Sequence, residues 1–318
     1  MKAVYSLLSG IIFFGLILPC GCKTPPAAVP RTEPQAELIF ENIEAPDPAR
    51  VNLVFSLELQ NPRQENSLVR MENHKITINE RDVNSGSVFR LFNSAAESFI
   101  AASGTETAPG RTETGLFFSV PGGNETMPGI AKIPLLLELD LPVLTAAGIS
   151  LLDEMNAELE LDLVFAYDDA EASVRVKVRG NAIFVPVREP VFSITAIAIL
   201  KAELINTRFR VTMKIDNPNP FPLDLSSFSY ELYGNDLLWA DGTEKNILSV
   251  PEKSSVLADL FLLMNFINMK RDLLDQIIRL EDVNYRFAGD VDVSTGIEYL
   301  PGFTSSFNLS GYSRVYDY

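Results

Sequence analysis

His74 is the single histidine of the chain, so any Ser-His-Asp or Cys-His mechanism would have to run through it. No Gly-x-Ser-x-Gly elbow accompanies it, and it stands beside a predicted strand, where a surface or packing role suffices. Asp290-Val291-Asp292-Val293-Ser294 opens like a calcium loop. Thr295 occupies the place of the required glycine, however, and Pro301 that of the bidentate glutamate. Alternation puts these acids on a solvent face, with Val291 and Val293 inward. Asp168-Asp169 could act as paired carboxylates on a glycosidic bond, but a hairpin turn explains them, and close pairs arise by chance among 42 acidic residues. Gly104, Gly110 and Gly115 are not followed by the Gly-Lys-Ser/Thr of a phosphate loop. Trp239 and the nine tyrosines fit core and strand positions better than a stacking platform. The expectation is a protein with no catalytic residue, no metal site and no cofactor.

Lipid attachment is the chemistry that the sequence does suggest. Lys2 precedes Leu7-Leu8 and the apolar run Ile11–Leu18, a basic and then a hydrophobic region of signal-peptide type. The run is shorter than the about 20 residues of a membrane-spanning helix. Leu18-Pro19-Cys20-Gly21-Cys22 then looks like a bacterial lipoprotein signal. Cys22 is the expected acylated residue, because small Gly21 precedes it, and Cys20, preceded by proline, is the weaker candidate. With residues 1–21 as signal peptide, 22–35 form a Pro-rich tether. The expected address is the bacterial cell envelope, held to the membrane through the lipid. Lys23 rather than aspartate after Cys22 favours the outer membrane by analogy. Asn124-Glu125-Thr126 and Asn308-Leu309-Ser310 match glycosylation sequons, which that address makes irrelevant.

The net charge of −16 argues against nucleic acid as a partner, since phosphate binding needs a basic surface. Cys20 and Cys22 are the only cysteines, so the body has neither a disulfide framework nor a thiolate metal cluster. A chain of 318 residues suits two domains of roughly 130–150 residues.

Positioning falls to strands. Phe209, Val211, Met213 and Ile215 alternate with Arg208, Arg210, Thr212 and Lys214, and the strand stops at Asn217-Pro218-Asn219-Pro220. Leu53, Phe55, Leu57 and Leu59 alternate in the same way into Asn61-Pro62. The offset of 156 between Asn61 and Asn217 also maps Gly86 onto Gly242, and both glycines are expected in turns, at Asn84-Ser85-Gly86 and Asp241-Gly242. Gly180 and Gly311, each closing a late strand, differ by 131, so the first copy carries 25 extra residues. A polar insertion at about 95–129 accounts for them, as either a binding loop or a tolerated extension. Helical spacing is expected over Pro142–Met155, and at Phe266, Met269, Leu273, Leu274, Ile277 and Ile278. The domains are therefore 36–187, with the insertion, and 188–318.

Strand, Asn217-Pro218-Asn219-Pro220, strand to Gly242, apolar strand, amphipathic helix and closing strands together resemble the LEA type 2 family, also called WHy (water stress and hypersensitive response) domains. The resemblance covers about 190–315. The first copy keeps Asn61-Pro62 but has Arg63-Gln64 in place of the second Asn-Pro. The resemblance implies two fibronectin type III-like β-sandwiches in a mainly β protein, each with one short helix. It also implies a non-enzymatic role in stress or desiccation protection or macromolecular binding, other envelope proteins being possible partners. The alternative expectation is an envelope adaptor or carrier for a partner protein or small apolar ligand. Asn61, Pro62, Asn217, Pro218, Asn219, Pro220 and Gly242 are read as structural rather than reactive residues.

Overall fold

The computed structural model describes residues 33–83, 89–93, 98–100, 116–124, 126–167, 173–201, 206–245, 248–265, 283–313 and 316–317. Two sheets of the first domain, 36–187 (module one; 188–318 is module two), face each other. In the first, β1 (Gln35–Asp47), β2 (Arg50–Asn61), β8 (Gly129–Asp140), β5 (Phe89–Asn93) and β6 (Ser98–Ile100) follow in that order. The second runs β10 (Val174–Phe184), β9 (Met155–Tyr167), β3 (Ser67–Ile78) and β4 (Arg81–Asp82), with β7 (Leu116–Val120) also on β3. Module two repeats the scheme. Its first sheet is β16 (Ser255–Asn265), β12 (Asn206–Asp216), β11 (Val191–Lys201) and β19 (Tyr316–Asp317). Its second is β14 (Leu237–Glu244), β13 (Leu223–Gly234), β17 (Val283–Ile297) and β18 (Leu300–Ser313), with β15 (Leu248–Val250) on β13.

Period-two patterning builds both cores. Leu53, Phe55, Leu57 and Leu59 of β2 are fully buried, as are Phe209, Val211, Met213 and Ile215 of β12. Removing such a side chain from water stabilises by about 1.5–3 kcal/mol. One core draws on residues from Leu38 to Phe184 and the other on residues from Phe192 to Phe307.

The repeat extends to the strand register. Val69 pairs with Phe165 and Asn73 with Asp162 in module one, Leu225 with Val293 and Ser229 with Asp290 in module two. Both pairs keep offsets of 156 on one strand and 128 on the other. At Ser67–Val120 and Leu223–Val250 the offsets are 156 and 130, so the 26-residue excess of module one lies between Ser67 and Val120. Part of it forms β5 and β6, which extend the first sheet beyond β8.

One turn assignment is corrected. Gly242 lies inside β14 opposite Tyr230, where a Cβ would stand 2.6 Å from the Tyr230 hydroxyl. It gives room to a ring rather than bending the chain. The turn is Asn235-Asp236, with φ of 48° and 65°, a two-residue loop of the left-handed kind that asparagine and aspartate tolerate. Module one has the same turn at Asn79-Glu80, with φ of 47° and 65°, while Asn84-Ser85-Gly86 lies outside the described residues. Each turn asparagine caps the neighbouring strand: Asn156 N–H donates to Asn79 Oδ1 (2.9 Å), and Asn284 N–H to Asn235 Oδ1 (3.3 Å). Gly180 and Gly311 likewise lie within β10 and β18, not at their ends.

The predicted helix over Pro142–Met155 is shorter than expected, α1 covering Leu141–Ala146 with Pro142 in its first turn. Asp140 caps it by accepting from Val143 N–H at 2.9 Å. Gly148, at φ +83°, ends it, and the chain is extended again from Met155. The helix expected from Phe266 to Ile278, like Asp168-Asp169, Cys20, Cys22 and the signal peptide, lies outside the described residues.

Candidate functional site at the Asn-Pro corners

Each corner is built on one buried asparagine whose amide is used up by the protein itself. Asn217 Nδ2 donates to the carbonyls of Phe221 (2.8 Å), Val250 (3.1 Å) and Pro251 (3.0 Å). Its Oδ1 accepts from Asn219 N–H (2.9 Å) and Asn219 Nδ2 (3.0 Å). Asn61 does the same in module one, donating to Glu65 O (2.7 Å) and Pro121 O (3.2 Å) and accepting from Arg63 N–H (3.1 Å) and Tyr167 hydroxyl (3.3 Å). Glu65 and Phe221 differ by 156, and Pro121 and Pro251 by 130, so the two clasps are one device used twice. Proline after each asparagine stops the ladder, and the amide then ties the strand end to the strand that crosses beneath it. An amide has two donors and one acceptor oxygen, so no capacity is left for a ligand.

The second asparagine of module two holds the residue that bridges the modules. Asn219 Oδ1 accepts from Arg188 N–H and its Nδ2 donates to Arg188 O, both at 2.8 Å. The Arg188 guanidinium then bridges Pro218 O (3.0 Å) in module two to Leu151 O (2.6 Å) and Leu152 O (3.1 Å) in module one. Lys253 reaches Asp153 at 2.5 Å beside it. Pro220 sits half-buried in the bend that follows. Module one has Arg63 at the position of Asn219, and its guanidinium lies 4.0 Å over the Tyr167 ring instead.

A further contact comes from the β17–β18 tip. Tyr299 hydroxyl donates to Val185 O (2.6 Å) and accepts from Val185 N–H (3.0 Å), while Ala45 N–H donates to Tyr299 O (3.3 Å). Burial pushes the Tyr299 hydroxyl above its ordinary pKa, with the Val185 bond acting the other way, which keeps the donor protonated. Tyr299→Phe leaves both main-chain groups of Val185 without this partner, a loss of about 1–2 kcal/mol. The expected result is that module two, followed by Trp239 fluorescence, unfolds apart from the circular dichroism transition of the whole. Coincident transitions in the variant would contradict this coupling role.

The other sequence candidates are not brought together. His74 is half-buried in the middle of β3, and burial lowers its pKa. Asp290 and Asp292 point outward from β17, accepting from Ser306 Oγ (2.6 Å) and Thr304 Oγ1 (3.1 Å). Among the described residues no three His, Cys, Asp or Glu side chains converge as a metal site would require. Trp239 is core, stacked on Phe209 at 5.7 Å. Sequence reasoning missed Arg188, Tyr299 and the paired turn asparagines Asn79 and Asn235. The last two were detectable, since they too differ by 156.

Residues 212–300 match the family model described as late embryogenesis abundant protein, so module two contains an LEA type 2 domain. No curated protein matches the chain by sequence. Among solved structures, a protein from Archaeoglobus fulgidus is similar at 16% identity and TM-score 0.28, over 41% of this chain and 97% of that one. A calcium-binding mutant of Bacteroides uniformis beta-glucuronidase 2 is similar at 10% identity and TM-score 0.22, over 81% of this chain and 26% of that one. A glycosyl hydrolase family 2 member from Bacteroides cellulosilyticus is similar at 8% identity and TM-score 0.24, over 83% and 29%. The alignments thus span only about a quarter to a third of those enzymes' length.

Proposed function

We propose that the chain is a non-enzymatic, lipid-anchored envelope protein made of two LEA type 2 modules, and that it protects other macromolecules under water stress. The observation that carries this is the family match over 212–300, joined to the clasp that module one shares with it: Asn61 and Asn217 hold equivalent partners. The polar groups at both corners serve the fold, which favours a role exercised by the folded surface. That surface belongs to a chain of net charge −16, and charge of one sign keeps a protein hydrated and separate from its like. The lipid on Cys22, the Pro-rich tether and the outer-membrane address belong to the same proposal.

Acyl labelling in vivo tests the anchor. Cys22→Ala should abolish labelling, whereas Cys20→Ala should leave it; the reverse pattern would move the lipid to Cys20. Pull-down of the full chain from native envelopes tests the role. A protective surface predicts many weak co-purifying proteins in varying amounts. One tight partner at fixed stoichiometry would replace protection by the adaptor reading.

A further inference from the structure

The outer face of β16 carries Leu257, Phe261 and Leu263, which are 66%, 53% and 59% exposed. Alternation places them there: Leu260 and Leu262 fill the core, while the residues between them look outward. Within β16 the only charged residue is Asp259, and there is no proline. Sheet edges are ordinarily guarded by charges, prolines or bulges, since an unguarded one recruits another strand. β16 pairs with β12 alone among the described residues, although β14 runs close by without joining its ladder.

Module one shows what this edge accepts. Gln60 pairs with Ile130 as Asp216 pairs with Ser255, so Phe261 and Leu263 occupy the positions of Leu136 and Glu138 in β8. In module one those two residues lie opposite Phe92 and Arg90 of β5, an added antiparallel strand. Module two lacks that strand among its described residues. At the positions of Lys132 and Glu138 of β8, of which Glu138 is covered by β5, its β16 has Leu257 and Leu263.

We propose that the missing strand is β16 of a second copy of this chain, paired antiparallel about a two-fold axis at Leu260. That register sets Leu257 opposite the partner's Leu263 and Asp259 opposite the partner's Phe261, so the most exposed apolar residues cover each other and no like charges meet. A register centred on Asp259 would oppose two carboxylates and is disfavoured. An isologous contact of this kind closes on itself, leaving no edge for further growth. Two bodies of net charge −16 repel at long range, so association strengthens as salt screens them. This inference stands on the two sheets and is independent of the protective role.

The test uses the full chain solubilised from envelopes in detergent, with sedimentation to read mass and disulfide formation to read register. Antiparallel partners bring Cα atoms within about 4.5–5.5 Å, a span that a disulfide bridges. Leu257→Cys and Leu263→Cys chains should therefore cross-link when co-expressed. Neither should do so alone beyond the level of the parent chain, because identical positions would lie about 20 Å apart. Phe261→Glu, a change at an exposed position, should leave the fold intact. It should weaken the dimer on the order of tenfold, since it sets like charge opposite the partner's Asp259 and the two-fold axis repeats that pair. A monomer at every salt concentration, cross-linking by single variants alone, or cysteines at 257 and 263 shielded from maleimide in a monomer would each overturn the proposal.

Discussion

Asn217→Ala is expected to destabilise module two by roughly 3–5 kcal/mol, a large part of the 5–15 kcal/mol that holds a typical domain together. The side chain is buried and makes five hydrogen bonds to Phe221, Val250, Pro251 and Asn219. Truncation leaves three carbonyls and two donors of the corner short of a partner, and a group buried without its bond costs about 1–3 kcal/mol before relaxation or water entry reduces the sum. Asn217→Asp should be at least as damaging. It keeps the acceptor but turns a carboxylate towards three carbonyl oxygens in a buried site. Asn61→Ala should cost less, because Asn61 donates to two carbonyls rather than three. Trp239 is the only tryptophan and lies in the module-two core, so urea titration followed by its fluorescence reads this module alone. An unchanged midpoint for Asn217→Ala would contradict the clasp.

Ile215→Asp, two residues earlier, is expected to unfold module two outright. Ile215 is fully buried between the sheets. The substitution gives up about 1.5–3 kcal/mol of apolar burial and puts an unpaired carboxylate where water cannot reach it. Lys214→Asp, one residue before it on the other face, is the matched control. Lys214 has a side chain 42% exposed and pairs with Asp216 at 2.5 Å, and exposed pairs contribute about 0–1 kcal/mol. The expected result is a native Trp239 spectrum for Lys214→Asp and an unfolded one for Ile215→Asp. Similar damage from both would mean that the inward and outward faces of β12 have been misassigned.

The sequence carried the inward face of β12 and of β2 because burial acts on every second side chain of a strand, a local signal. It carried the two Asn-Pro corners for a similar reason: proline cannot continue a ladder wherever the rest of the chain goes. The partners of the corner asparagines were illegible. Val250 and Pro251 lie 33 and 34 positions from Asn217, and only the packed sandwich brings them within reach. Arg188 and Tyr299 were missed on the same ground, since Arg188 reaches Pro218 and Asn219 as well as Leu151 and Leu152, and Tyr299 reaches Val185, all distant in the chain. Gly242 misled the turn assignment, because glycine serves both for positive φ and for close approach of a ring, and here the ring of Tyr230 decides. The Asn235-Asp236 turn was overlooked because it contains no glycine, although asparagine also tolerates the left-handed region.

Whether protection belongs to the folded modules and to no reactive side chain is decided by drying a labile client enzyme with the purified protein and measuring recovered client activity. A protective folded surface should give more recovery than an equal mass of a neutral control protein. That recovery should be unchanged by alanine at His74 or at Asp168 and Asp169 together, and reduced by Ile215→Asp. Recovery no better than the control, or recovery abolished by alanine at His74 while the fold is intact, would contradict it.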